Sequence, residues 1–148
     1  MLGIRLTSLG WAHTLFAVAA LLLGLAVLLS RKGTRFHRNA GRSYFVCFGR
    51  FGPFHIAAVV SLASVLAGFV PAHFRKPRAT WMNLHAQFMC WSYVGLLAAF
   101  AAEIAVRVPG IRFGSGVLAA TIVVVAGGAL LIFTRLPRVI NSVNVVSG

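Results

Sequence analysis

The sequence predicts an all-α integral membrane protein, a helical bundle with four clear transmembrane helices plus a short or truncated fifth. Two observations predict this class. Hydrophobic residues make up 59% of the 148 residues, whereas soluble domains hold about 45–50%. The chain also contains four long apolar runs, each at least as long as the ~20 residues that a bilayer-spanning helix needs. A water-soluble fold could not hide so much apolar surface.

The predicted spans follow these apolar runs in order. They cover residues 6–30, 51–72, 82–106 and 113–134. Arg31 and Lys32 follow the first run where a signal peptide would have a small-residue cleavage site, so we expect this run to stay in the membrane. No long linker interrupts the sequence, and residues 1–148 are therefore predicted to form a single transmembrane helical-bundle domain.

The short segment 43–50 separates the first two clear spans. Its uncharged part, residues 43–49, is bounded by Arg42 and Arg50. Seven helical residues rise about 10 Å, a third of the ~30 Å hydrocarbon core. This segment is therefore predicted to be either a short broken helix or the remnant of a complete one.

The distribution of basic residues favours a crossing at this segment. With the N-terminus outside and this crossing included, ten of the 14 basic residues face the cytoplasm, among them those of loop 31–42. Without the crossing, only eight do. The net charge of +13 then belongs to short loops at lipid head groups, so the expected partner is the lipid bilayer and not nucleic acid. We expect a multi-pass protein of the bacterial inner (cytoplasmic) membrane.

Short motifs are spread over most of the chain. They are Lys32-Gly33-Thr34-Arg35, His37-Arg38, Gly41-Arg42, Tyr44, Gly52-Pro53-Phe54-His55, His85, Met89, Trp91-Ser92-Tyr93, Gly95-Leu96, Ala98-Ala99, Glu103, Arg107 and Pro109. Together they resemble the domain-of-unknown-function 2306 family of bacterial predicted membrane proteins. The resemblance implies a five-helix parent with a complete helix where this chain has only segment 43–50. It implies no chemistry.

Ionisable side chains inside spans are candidates for function, because they are costly in lipid. On the five-helix topology, His13 and His55 fall near the outer face. His37 and His85 fall near the inner face. His73 lies at the inner end of the third span and has a simpler interpretation as an interfacial anchor. We therefore leave His73 out of the predicted site.

The fourth span carries a polar stripe. Its residues are His85, Met89, Ser92, Leu96, Ala99 and Glu103. His85 and Glu103 are separated by five whole helical turns, so we expect the stripe to point into the bundle. Two simpler interpretations remain open. His85 could hydrogen-bond across helices, and Glu103 could pair with Arg107 on the helix surface, an arrangement worth about 0.3–0.5 kcal/mol.

The first function hypothesis is a haem b protein that transfers electrons across the membrane. His13 and His55 would hold one haem on the outer side, and His37 and His85 another on the inner side. This arrangement resembles the transmembrane di-haem cytochromes b, in which paired histidines lie at both membrane faces. Neutral imidazole suits haem iron, and the apolar bundle excludes solvent. A membrane redox partner would supply or accept the electrons.

Two other hypotheses belong to different classes. In the second, His13, His55 and Glu103 form a single metal or proton site at the outer face, since two imidazoles and a carboxylate are a common ligand set for zinc or non-haem iron. It leaves His85 unexplained. In the third, the chain is an assembly or transport accessory without a cofactor.

Overall fold

The apolar runs of the sequence fold into helices. The structure, a computed structural model, describes residues 8–49, 56–76 and 80–147. Its helices are α1 (Ser8–Leu29), α2 (Arg35–Gly49), α3 (Ile56–Phe74), α4 (Trp81–Ala105) and α5 (Phe113–Ser147). These residues contain no β-strand, so the predicted all-α class is confirmed.

Three helical stretches are long and apolar enough to cross a membrane. They are Gly10–Leu29, Trp81–Ala105 and Phe113–Ile140. At most 17% of the residues in their apolar windows are buried inside the protein. Apolar side chains that face outward over such a length are costly in water and favourable in lipid. Length, composition and exposure together indicate a membrane protein.

The sequence predicts four clear spans, and three of them correspond to these helical stretches in the described part of the chain. The predicted span 51–72 corresponds to α3, and residues 51–55 lie outside the part of the chain that the structure describes. Within that part, the apolar stretch Leu62–Phe74 is shorter than a span. A complete span over residues 51–72 therefore stays a prediction.

The last helix is longer than predicted. The apolar run ends at Thr134, but α5 continues through Arg135, Pro137 and Arg138 to Ser147. A charged residue marks the edge of the hydrocarbon and not the end of a helix, because arginine is itself a good helix former. The predicted limit at residue 134 is therefore the end of the apolar run alone.

Segment 43–50 belongs to a longer helix than its apolar run suggests. α2 begins at Arg35 and includes Arg38 and Arg42, so residues 43–49 are its C-terminal half. Arg50 lies outside the described residues. At 1.5 Å per residue α2 is about 22 Å long, still short of the ~30 Å hydrocarbon core.

The contacts divide the chain into two compact units, Met1–Val59 and Val60–Gly148. In the first unit α1 packs against α2. The buried residues of these helices are Ala20, Gly24, Val27, Ala40 and Tyr44. Their spacing of three and four residues places them on one face of each helix. A single domain over residues 1–148 stays a prediction.

In the second unit α4 and α5 form an antiparallel pair. A Cβ atom added at Gly128 would lie 2.5 Å from Cγ2 of Val94, so the helices meet where only a glycine fits. Trp91 contacts Phe133 edge to face, with ring centroids 6.5 Å apart. Residues that follow one another on α4 therefore meet residues in reverse order on α5.

Candidate functional site

A hydrogen bond joins His85 on α4 to α3. Its Nδ1 lies 2.9 Å from the carbonyl oxygen of Gly68. A carbonyl oxygen only accepts hydrogen bonds, so Nδ1 carries the proton and donates it. In the neutral ring the lone pair is then on Nε2. Histidines that bind metal ions are commonly held in this way, with the second ring nitrogen donating to a backbone carbonyl.

The bond of His85 depends on a close approach of α3 and α4. A Cβ atom at Gly68 would lie 3.1 Å from Cγ and Sδ of Met89 and 3.2 Å from its backbone nitrogen. Gly68 therefore offers its carbonyl to α4 at a position where the absence of a side chain lets Met89 approach closely.

The hydrogen bonds of His37 on α2 give its ring the same tautomer as that of His85. Its Nδ1 lies 3.1 Å from the hydroxyl oxygen of Ser30, and that oxygen lies 2.9 Å from the carbonyl oxygen of Val27. A carbonyl oxygen only accepts hydrogen bonds, so the Ser30 hydroxyl donates to Val27. The hydroxyl oxygen then accepts from Nδ1–H of His37, which leaves the lone pair on Nε2.

The turn between α1 and α2 positions His37. Lys32 Nζ donates to the carbonyls of Val27 and Leu28, at 3.1 and 2.8 Å, and so caps the C-terminus of α1. Gly33 then adopts a φ of 78°, a conformation that favours glycine. The Thr34 hydroxyl accepts a hydrogen bond from the backbone N–H of His37 at 3.1 Å, as an N-cap does. The Lys32-Gly33-Thr34 motif is therefore a joint between two helices.

The predicted inner pair falls in separate units. His37 lies in Met1–Val59 and His85 in Val60–Gly148, and both side chains are partly buried. The two rings have the same tautomer. Each stays a predicted ligand.

The remaining histidines differ in their surroundings. His13 lies on α1 with an exposed side chain, and His55 lies outside the described residues. His73, which we left out of the site, is exposed at the end of α3 and stacks on Phe69 with ring centroids 5.8 Å apart. Phe74 contacts the same ring edge to face at 5.0 Å. His73 is therefore packed by its own helix.

The carboxylate of Glu103 forms an ion pair with Arg107. Arg107 donates to the Glu103 carboxylate at 2.7 Å and also to its backbone carbonyl. Both side chains are about two thirds exposed, at 66% and 60%. This is the simpler interpretation of Glu103, and an exposed pair of this kind contributes only about 0.3–0.5 kcal/mol.

The stripe on α4 is covered from His85 to Leu96 and exposed beyond it. Ser92 is buried, and His85 and Met89 are partly buried. Ala99 and Glu103 are exposed, so the prediction that the stripe points inward fails at its end. Two residues that are five whole turns apart point in the same direction from the helix axis, but they can have different neighbours. Within the described ranges, no three His, Cys, Asp or Glu side chains lie close enough together to hold a metal ion.

A groove of about 350 Å³ lies along the α4–α5 pair. Asn83 and Gln87 line it from α4, and the other lining residues are Ile132, Phe133, Leu136, Pro137 and Ile140. The two amides are one turn apart and face α5, whereas His85 faces α3. None of the predicted site residues that the structure describes lines this groove.

The predicted ligands were visible in the sequence, but the residues that fix their tautomers were not. Ser30 and Gly68 contact the rings of His37 and His85. Thr34, directly before a helix, is an N-cap signal that would have located the turn. A glycine in a span is a signal of close helix approach, although Gly68 is one of 15 glycines in the chain.

Comparison with known proteins gives no match. No family model, curated protein or solved structure matches this chain. The resemblance of its motifs to the domain-of-unknown-function 2306 family stays a prediction.

Proposed function

We propose that this chain is a haem b protein of the bacterial inner membrane that transfers electrons between the two membrane faces. His13 and His55 hold one haem near the outer face, and His37 and His85 hold another near the inner face. Haem, when bound, supplies one-electron chemistry. The protein supplies imidazole ligands and an apolar environment that excludes water. Its partner is a redox protein or carrier of the same membrane.

The tautomer of His85 supports this proposal most. An imidazole binds haem iron through an unprotonated nitrogen, and in the neutral ring donation from Nδ1 to the carbonyl of Gly68 places the lone pair on Nε2. The contact between His37 and Ser30 acts in the same way. Both rings are thus prepared for the same ligand atom. A histidine with a purely structural role also bonds across helices, so the cofactor content has to decide.

The direct experiment is an absorption spectrum. Protein purified in mild detergent from haem-producing cells should show a strong Soret band, and its pyridine haemochrome should be that of haem b. Zinc or non-haem iron at His13, His55 and Glu103 would give bound metal without a Soret band. Colourless protein without haem would contradict the proposal, and the absence of both haem and metal would favour the assembly or transport accessory.

The proposal includes a topology with five crossings. The fourth long span is the one that the sequence predicts over residues 51–72, and α2 provides a short fifth. Residues 31–42, which form the turn after α1 and the first half of α2, then face the cytoplasm, where the positive-inside rule favours them. All five basic residues of this segment have exposed side chains, as residues at an aqueous or head-group surface do.

Cysteine labelling tests this orientation. Cys47 and Cys90 are not in a disulfide, and both are first replaced by serine. A cysteine at exposed Asn39 should resist an impermeant maleimide in intact cells and react after permeabilisation. A cysteine at exposed Ile111, between α4 and α5, is the matched control and should react from outside. Efficient labelling of position 39 in intact cells would overturn the orientation.

A further inference from the structure

The exposed face of α2 carries three arginines. Arg35, Arg38 and Arg42 are spaced by three and four residues, which places them on one side of the helix. All three side chains are exposed. The opposite side, with Ala40 and Tyr44, is buried. α2 therefore separates an apolar inner face from a basic outer face.

These arginines lie in a segment without acidic residues. Glu103 is the single acid of the whole chain, and it lies on α4 and pairs with Arg107 of the following turn. Arg38 donates one hydrogen bond, at 2.9 Å, to the carbonyl of Gly33. A guanidinium has five N–H donors, so Arg38 keeps several for another acceptor. The surface is thus suited to an anion, and guanidinium binds phosphate with paired hydrogen bonds.

Exposed apolar side chains flank this basic segment along the chain on both sides. On α2, Val46 follows Arg42 by one turn, and it is exposed. On α1, Leu25 and Leu29 are exposed, and Leu29 is 78% accessible directly before the basic turn. Nucleic acid offers phosphates without hydrocarbon, whereas a phospholipid offers both. The order of charged and then apolar surface along one helix fits a lipid at the membrane interface.

We infer that the face formed by Arg35, Arg38 and Arg42 binds the head groups of anionic phospholipids. The arginines contact the phosphates, and Val46 and Leu29 contact the upper acyl chains. This binding does not require a cofactor and is independent of the proposed haem sites. It specifies one surface of the chain for lipid recognition, beyond the general attraction of a positively charged protein to a membrane.

Native mass spectrometry of the full-length protein in detergent tests this inference. Phosphatidylglycerol and phosphatidylcholine are titrated separately, since they share the phosphate and differ in net charge. The protein should prefer phosphatidylglycerol. Joint replacement of Arg35, Arg38 and Arg42 by glutamine should weaken its binding by up to about 100-fold, because each cation near a lipid surface contributes about fivefold. Arg35→Gln alone should weaken it about fivefold.

The matched control removes the same charge elsewhere. It replaces three other exposed arginines by glutamine, namely Arg112, Arg135 and Arg138. This variant should keep most of the preference for phosphatidylglycerol. Equal losses in both triple variants, or no lipid preference in the unmodified protein, would overturn the inference. Tighter binding of a single-stranded oligonucleotide than of phosphatidylglycerol, lost with the same three arginines, would assign the face to nucleic acid instead.

Discussion

Replacing His85 by alanine should remove about half of the Soret absorbance, because it deletes one ligand of one haem and leaves the other haem intact. His55→Ala should have the same effect on the second haem. His73→Ala is the matched control, since His73 is exposed and packed by Phe69 and Phe74 of its own helix. Its haem content should equal that of the unmodified protein. The measurement is haem per protein by pyridine haemochrome.

A second variant distinguishes loss of the imidazole ligand from loss of its hydrogen bond to α3. Leucine at Gly68 would push Met89 away and take the carbonyl out of reach of His85, while the imidazole itself remains. Gly68→Leu should therefore keep more haem than His85→Ala, with an altered reduction potential, because hydrogen bonding to a ligand tunes the metal. Full haem content in both His55→Ala and His85→Ala would leave the histidines as structural residues and defeat the site.

The long helices could be predicted because lipid sets a simple requirement. A crossing helix needs about 20 apolar residues, and the runs that form α1, α4 and α5 meet this requirement. The ends of these helices were less predictable. α5 continues past Arg135 because backbone hydrogen bonding does not depend on side-chain charge, whereas the apolar run does.

α2 was missed as a whole helix for a different reason. The uncharged run of this segment is bounded by Arg42, although Arg35 and Arg38 belong to the same helix. The stronger signal was periodic: Ala40 and Tyr44 are one turn apart and both are buried, while the arginines occupy the other side. An amphipathic helix is recognised by this pattern and not by the length of an apolar run.

The environment of the candidate ligands needed tertiary structure. The bond between His85 and Gly68 joins two helices, and nothing in the spacing of one helix specifies its neighbour. The bond between His37 and Ser30 crosses a turn whose shape depends on the φ of Gly33 and the cap by Thr34. The sequence could propose these histidines as ligands from the cost of ionisable groups in lipid, but not the tautomer of either ring.

Leucine at Gly128 should destabilise the α4–α5 pair strongly. Its Cβ atom alone would lie 2.5 Å from Cγ2 and 2.7 Å from Cγ1 of Val94, and the rest of the side chain has to displace that residue. Forcing extra carbon atoms into a packed contact costs about 1–3 kcal/mol. The midpoint of thermal unfolding in detergent should fall accordingly, as measured by circular dichroism.

Gly127 provides the matched control for this variant. It is the adjacent residue of α5, and a Cβ atom there would meet no other atom within 4 Å. Leucine has a higher helix propensity than glycine by roughly 0.5–1 kcal/mol, a gain common to both substitutions. Gly127→Leu should therefore leave the unfolding midpoint unchanged or raise it, so that the two adjacent substitutions have opposite signs. Equal midpoints for the two variants would mean that α4 and α5 do not meet at Val94 and Gly128.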